Sequence, residues 1–154
     1  MPSHFRGKPA ETRALDCYIK LVRAALSTQS RLARRLENEG ITEHQFGVLE
    51  ALHHLGPLCQ RDIGKKLLTS GGNVTLLVDN LEKRGLVKRV RGEEDRRFVM
   101  VHLTAAGRKR ILELFPGHVK AIVRLFATLS ADEQQQLAAL CRKLGLGAQA
   151  VELP

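Results

Sequence analysis

Residues 60–103 constrain what this chain can fold into more than any other stretch. At their centre runs Thr69-Ser-Gly-Gly-Asn-Val-Thr-Leu-Leu-Val-Asp-Asn-Leu-Glu-Lys-Arg-Gly85. Val74, Leu77, Val78 and Leu81 recur at i, i+3, i+4 and i+7, which makes one apolar face of a helix. Small polar residues crowd the start of that helix, where unpaired backbone N–H groups point outward. Gly85 follows its last turn, a place that tolerates a left-handed backbone. Ahead of it lies a short helical stretch, 60–67, with Ile63 and Leu67 on one face. Two short helices joined tightly predict a helix-turn-helix, whose second helix can lie in a major groove.

Residues 87–91 and 98–103 are rich in β-branched side chains, and Val99, Val101 and Leu103 alternate inward. The loop between them, Gly92-Glu-Glu-Asp-Arg-Arg97, is too polar to be buried. A helix-turn-helix followed by a β-hairpin with arginines at its tip is a winged helix. Candidate DNA contacts at the helix entry are Thr69, Ser70, Gly71, Gly72, Asn73 and Thr75. Asparagine can pair with an adenine edge, threonine offers a hydroxyl or a methyl, and the glycines let backbone approach a phosphate. An alternative for the same residues is a flexible entry turn. Arg96 and Arg97 suit a narrow, electronegative minor groove; the competing reading is a solvated turn. Arg61, Lys65, Lys66, Lys88, Arg89 and Arg91 are candidate phosphate contacts.

Several of these residues also carry a resemblance. Ile41-Thr-Glu-His-Gln-Phe-Gly-Val-Leu49, Asn73-Val-Thr75, Leu81-Glu-Lys-Arg-Gly-Leu86, Asp95-Arg-Arg97 and Leu103-Thr-Ala-Ala-Gly107 together resemble the MarR family of bacterial transcription regulators. The motifs run in order over residues 12–144, and their joint spacing is specific although each alone is common. The resemblance implies a homodimer whose DNA affinity changes with a small-molecule inducer or an oxidant. It implies that Arg97 is the wing arginine that enters the minor groove and that Asp95 orients its guanidinium. It also implies a ligand pocket between dimer helices and winged domain, for which Tyr18, Arg23, Arg34, His44 and His53 are candidates. Cys17 sits where the family's organic-peroxide sensors place a reactive cysteine, although Phe46 stands where those sensors carry tyrosine. The alternative for Cys17 is a small buried hydrophobe.

A chain of 154 residues suits one domain with a real core. Its 25 Lys and Arg against 16 acidic residues give a formal charge of +9, which suits a polyanionic partner. An aromatic content of 4% without tryptophan disfavours a stacking platform for single strands. No apolar run approaches the ~20 residues that would span a membrane, and residues 1–8 lack the apolar core of a signal peptide. Three cysteines, Cys17, Cys59 and Cys141, without a CxxC pair argue for a reducing, cytoplasmic setting.

Taken in order, residues 1–10 read as a loose arm and 11–38 as a long helix. Leu15, Tyr18, Ile19, Val22 and Leu26 form a stripe on that helix which a second subunit could cover. Thr42 with Gln45 opens the next helix as a capping box, with Phe46, Leu49 and Leu52 inward. Cys59 falls at the N-cap of the third helix. A thiol there is a poor cap, and is either a simple substitution or a second redox candidate beside Arg61 and Lys65. Thr104 caps a helix through Phe115 that Pro116-Gly117 should kink or break, with helix resuming along Val119, Ile122, Val123 and Phe126. Ser130 with Glu133 caps a last helix lined by Leu137, Leu140, Cys141 and Leu144, which Gly145 and Gly147 should end. Cys141 is expected in the core.

The predicted fold is therefore mostly α with a small β-hairpin, one domain over 1–154. It comprises a dimerisation helix at 11–40, a winged helix-turn-helix at 41–107 and C-terminal dimerisation helices at 108–147. No enzyme signature accompanies it: Gly71-Gly72 lacks the spacing and lysine of a phosphate loop. No cofactor is expected. No metal is expected either, because adjacent His53 and His54 diverge by ~100° on a helix. A sequence-specific regulator of double-stranded DNA, acting as a repressor, is the leading reading. A constitutive architectural DNA-binder and a peroxide sensor through Cys17 or Cys59 are the rivals.

Overall fold

The computed structural model describes residues 5–91 and 99–152. Two compact units, Met1–His118 and Val119–Pro154, divide the chain. In the first lie α1 (Pro9–Asn38), α2 (Glu43–Leu55), β1 (Leu58–Cys59), α3 (Gln60–Leu67), α4 (Gly71–Lys83), β2 (Val87–Arg91) and β3 (Val99–Leu103). A further helix, α5 (Ala105–Phe126), begins in this unit, and α6 (Ala131–Gln149) lies in the second.

Local chemistry explains most boundaries. Thr42 Oγ1 accepts from the Gln45 N–H at 3.2 Å and the Gln45 side chain accepts from the Thr42 N–H at 3.2 Å, so α2 opens with both early donors satisfied. Ser130 and Glu133 do the same for α6, at 3.3 and 2.8 Å. Gly40 and Gly85 end α1 and α4 with φ of +73° and +69°. Proline at the first position starts α1 two residues earlier than the expected Glu11, because its missing N–H is one a helix leaves unpaired anyway.

The core sits under the helix-turn-helix. Ile63 from α3, Val74, Val78 and Leu81 from α4, and Phe46, Leu49 and Leu52 from α2 are buried together with Val101 of β3 and Ile111 and Leu114 of α5. Leu67 and Leu77 pack against them. The predicted hairpin is present, with Val87 opposite Leu103 and Arg91 opposite Val99. Of the three alternating residues only Val101 is fully buried; Val99 and Leu103 are half-buried. A two-residue strand that sequence periodicity could not resolve, β1, adds Leu58 opposite Val101 and Cys59 opposite Met100, giving the order β1-β3-β2. Phe98, expected to begin β3, lies outside the described residues with the wing tip.

Four expectations are corrected. Pro116 does not break α5, which continues to Phe126. Proline removes one N–H, and the carbonyl it frees belongs to Leu112, which is 54% exposed where water can serve it. Gly145 and Gly147 do not end α6, which runs on to Gln149: a helical glycine costs about 1 kcal/mol and is tolerated when its neighbours are good helix formers. Cys141 is exposed and not in the core, and α6 buries no residue within the chain. Cys17 is likewise exposed, so the small-buried-hydrophobe alternative does not hold within one chain.

His118 packs its ring on Phe46 with centroids 4.4 Å apart, and its Nδ1 is buried without a hydrogen-bond partner among the described residues. Burial lowers its pKa from the usual 6.5; Glu50 and Glu43 oppose the shift and Arg35 adds to it. A histidine depressed in the fold binds its proton more readily when unfolded. Its stability contribution is therefore full above about pH 6.5 and declines as pH falls from there towards the depressed folded value. Urea melts should show stability falling between pH 7.5 and 5.5, with a shallower fall in His118→Gln; equal slopes would contradict this role.

Candidate nucleic-acid interface

The predicted contacts at the entry of α4 are gathered at one exposed end of the helix-turn-helix. Ser70 is the N-cap, extended in backbone, with no side-chain cap bond. Gly71, Gly72 and Asn73 are exposed in the first turn, and Thr69 is half-buried beside them. Asn73 Nδ2 donates to Thr69 Oγ1 at 3.2 Å, which orients the amide and leaves its Oδ1 and second N–H available. Thr75 Oγ1 donates to the Gly71 carbonyl at 3.2 Å and accepts from Gln60 Nε2 at 2.9 Å. A concavity of about 600 Å³ runs along this end, with Gln60, Arg61, Lys65, Leu68 and Thr75 among its walls. Arg61 and Lys65 are 80% and 70% exposed and only loosely paired with Asp62, at 4.0 and 3.8 Å. Lys66, Lys88 and Arg91 are also exposed. Asp95, Arg96 and Arg97 lie outside the described residues.

Arg89, a candidate phosphate contact, is engaged within the fold. Its Nη1 and Nη2 donate to Glu82 Oε2 and Asp79 Oδ1, both at 2.6 Å, and its Nε donates to Gln60 Oε1 at 3.0 Å. Its backbone N–H donates to the other Glu82 oxygen at 2.9 Å. That backbone bond is the largest cause holding Glu82 below the usual carboxylate range. Burial works against the Arg89 charge, but the bonds to Asp79 and Glu82 outweigh it and raise its pKa. Three of its five guanidinium N–H groups, one on each nitrogen, are engaged internally, so half-buried Arg89 fastens β2 to α3 and α4. Gln60 passes the constraint on to Thr75. The sequence signal was Asp79 and Glu82 at i, i+3 on one helix face, ahead of a basic strand. Arg89→Met should destabilise by about 1 kcal/mol, a modest figure because water replaces part of the interaction at two carboxylates more than a third exposed. Chemical denaturation checks it; an unchanged midpoint would mean the clamp holds nothing.

Arg84 ties the far end of α4 to the α1–α2 corner, donating to Gln45 Oε1 at 3.2 Å and to the Gly40 carbonyl at 3.1 Å. Arg110 of α5 donates to the neighbouring Glu39 carbonyl. Helix α4 is thus held at both ends, by Gln60 at Thr75 and by Arg84. Of the redox candidates, Cys17 is exposed on α1, and Cys59 is the predicted N-cap of α3, half-buried. Cys59 Sγ donates to Asp62 Oδ2 at 3.1 Å, so its nearest charged partner is an acid and not the cations beside it. Tyr18, Arg23, Arg34 and His44 are exposed and His53 is half-buried; the concavity lies at the helix-turn-helix and not among them. Among the described residues no helix is long and apolar enough to cross a membrane.

Comparison with known proteins agrees with this geometry. The sequence profile of the MarR family matches residues 41–99. HTH-type transcriptional regulator YkoM of Bacillus subtilis (strain 168) is 37% identical over 137 residues, covering 89% of each chain. The chain belongs to the MarR family. A further relative, Transcriptional repressor MprA of Escherichia coli (strain K12), is 32% identical over 135 residues, 82% of this chain and 75% of that one. Among solved structures, that of Sco3205, a MarR family transcriptional regulator from Streptomyces coelicolor, in complex with DNA, aligns with a TM-score of 0.82 at 25% identity, over 94% of this chain and 92% of that one. A MarR-type, DNA-binding transcription regulator with a winged helix-turn-helix is therefore what the chain is.

Proposed function

We propose that this MarR-family protein is a cytoplasmic repressor that binds a pseudo-palindromic duplex as a homodimer and is released by a small ligand or an oxidant. The observation that supports it best is the rigid presentation of residues 69–75, fastened through Gln60 to the Arg89 clamp and flanked by exposed Arg61 and Lys65. Asn73 and Thr75 would face base edges, Ser70, Gly71, Gly72 and Thr69 the backbone, and Arg96 and Arg97 a minor groove with Asp95 orienting Arg97. Repression is supported by the likeness to MprA. Dimerisation is supported by the apolar side chains that each unit leaves in water: Tyr18 and Leu26 on α1, and Leu137, Leu140 and Leu144 on α6.

Hydroxyl-radical footprinting on the intergenic DNA upstream of the protein's own gene tests this. Two protected patches about 10 bp apart are expected from a dimer reading two half-sites; one patch, or none, contradicts it. Asn73→Ala and Arg97→Ala should each weaken binding about tenfold or more. Release by oxidation has its own support in the exposed Cys17 thiol, which a hydroperoxide can reach and convert to a bulkier, polar sulfenic acid. Loss of binding with an organic hydroperoxide, and its retention in Cys17→Ser, would identify the signal as oxidation. Binding indifferent to the oxidant would leave release to a ligand.

A further inference from the structure

The reading helix has an unusual side-chain inventory for the task. From Gly71 to Glu82 it carries no lysine or arginine, the residue types that most often bond guanine, and its one lysine, Lys83, stands in the last turn, away from the entry. The Thr75 hydroxyl already donates to the Gly71 carbonyl and accepts from Gln60, so the methyl is the group this exposed residue leaves unengaged. One position on, Leu76 is 60% exposed. Rotation of ~100° per residue sets it about opposite the buried Val74 and Val78, at the outermost line of the helix. Leu68, which shares the concavity with Thr75, is 90% exposed and held at φ +50°, a left-handed conformation that leucine rarely adopts. Asn73, with Oδ1 and one N–H free, is matched to adenine.

We infer that this helix reads A·T pairs chiefly through the C5 methyl of thymine, with Leu76 and the Thr75 methyl as the specificity-determining contacts and Gln60 as the residue that positions Thr75. In the major groove the thymine methyl is the one apolar feature of the four base pairs, and an exposed leucine beside a threonine methyl is its complement. A guanine or cytosine edge set against Leu76 and the Thr75 methyl gains a hydrogen bond from neither and loses its water there without replacement. The inference rests on the DNA-binding reading above and adds to it which base the helix selects.

The test starts from a randomised pool of duplexes selected with the full-length protein, followed by single dT-to-dU replacements in the enriched duplex, which delete one methyl at a time. Half-sites containing A·T pairs should be enriched, and one or two thymines per half-site should each lose about fourfold in affinity as uracil, the effect of one buried methyl. Leu76→Ala and Thr75→Ser should bring the thymine-to-uracil ratio towards one, with circular dichroism confirming that both variants fold. Enriched duplexes indifferent to every dT-to-dU replacement, or half-sites in which guanine contacts dominate, overturn the inference while leaving sequence-specific binding intact. A pool that shows no enrichment overturns the specific-binding reading and this inference with it.

Discussion

Replacing Gly107 by alanine should destabilise the winged domain by about 3 kcal/mol or more, one of the largest effects expected of any single methyl in this chain. A Cβ at Gly107 would stand 1.9 Å from the Leu86 carbonyl oxygen and 2.9 Å from its carbon. Both are backbone atoms, so no rotamer change relieves the clash. The Leu86 carbonyl is also the acceptor for the Thr104 N–H at 3.1 Å, which pins it in place. Thr104 completes the corner: its hydroxyl donates to the Gly85 carbonyl at 2.6 Å and accepts from the Gly107 N–H at 3.0 Å. Relief requires α5 to move off the α4–β2 turn, which would carry the buried Ile111 and Leu114 with it. With a urea slope of about 1–3 kcal/mol/M the midpoint should fall by at least ~1 M. A midpoint within experimental error of the parent protein's would show that the corner yields freely.

The second large effect is electrostatic. If a dimer neutralises ~8 phosphates, affinity for duplex DNA should fall about 10³- to 10⁵-fold between roughly 50 and 200 mM salt, because counterions released on binding must be returned to a more concentrated solution. The formal charge of +9 per chain and the exposure of Arg61, Lys65, Lys66, Lys88 and Arg91 in the winged domain make a contact number of this size attainable. Neutralising Lys65 should lower the slope of log affinity against log salt by about one per site. Arg89→Met should leave that slope nearly unchanged, since its guanidinium is committed to Asp79, Glu82 and Gln60. A flat titration would argue against phosphate contacts as the main source of affinity.

Much of the winged domain was legible in the sequence because local signals and the global fold agree there. The apolar periodicity of α4, the capping pair Thr42 and Gln45, and the glycine at 85 each specify a feature that depends on few distant residues. The motif residues gain physical reasons from the structure. In Leu81-Glu-Lys-Arg-Gly-Leu86, Glu82 holds Arg89 and Arg84 holds the α1–α2 corner; in Leu103-Thr-Ala-Ala-Gly107, Gly107 makes room for a carbonyl. The illegible features depend on long-range geometry. A strand of two residues has no periodicity to detect, so β1 emerges only from its pairing with β3. Arg89 looks like its basic neighbours until the chain folds two carboxylates against it. Pro116 reads as a breaker, whereas its place on an exposed side of α5 lets the helix pass through. At the candidate site, exposure of residues 70–73 followed from the predicted helix entry, but the orientation of Thr75 depends on Gln60, fifteen residues earlier in the chain.

The measurement that bears most directly on the account is affinity at about 150 mM salt for the upstream intergenic duplex against a scrambled duplex of equal length and composition, with the full-length protein. A regulator that reads base edges from the end of α4 should prefer its own duplex by about 10³-fold or more. Equal affinity for the two would contradict sequence-specific regulation and leave a protein that binds DNA by charge and shape alone.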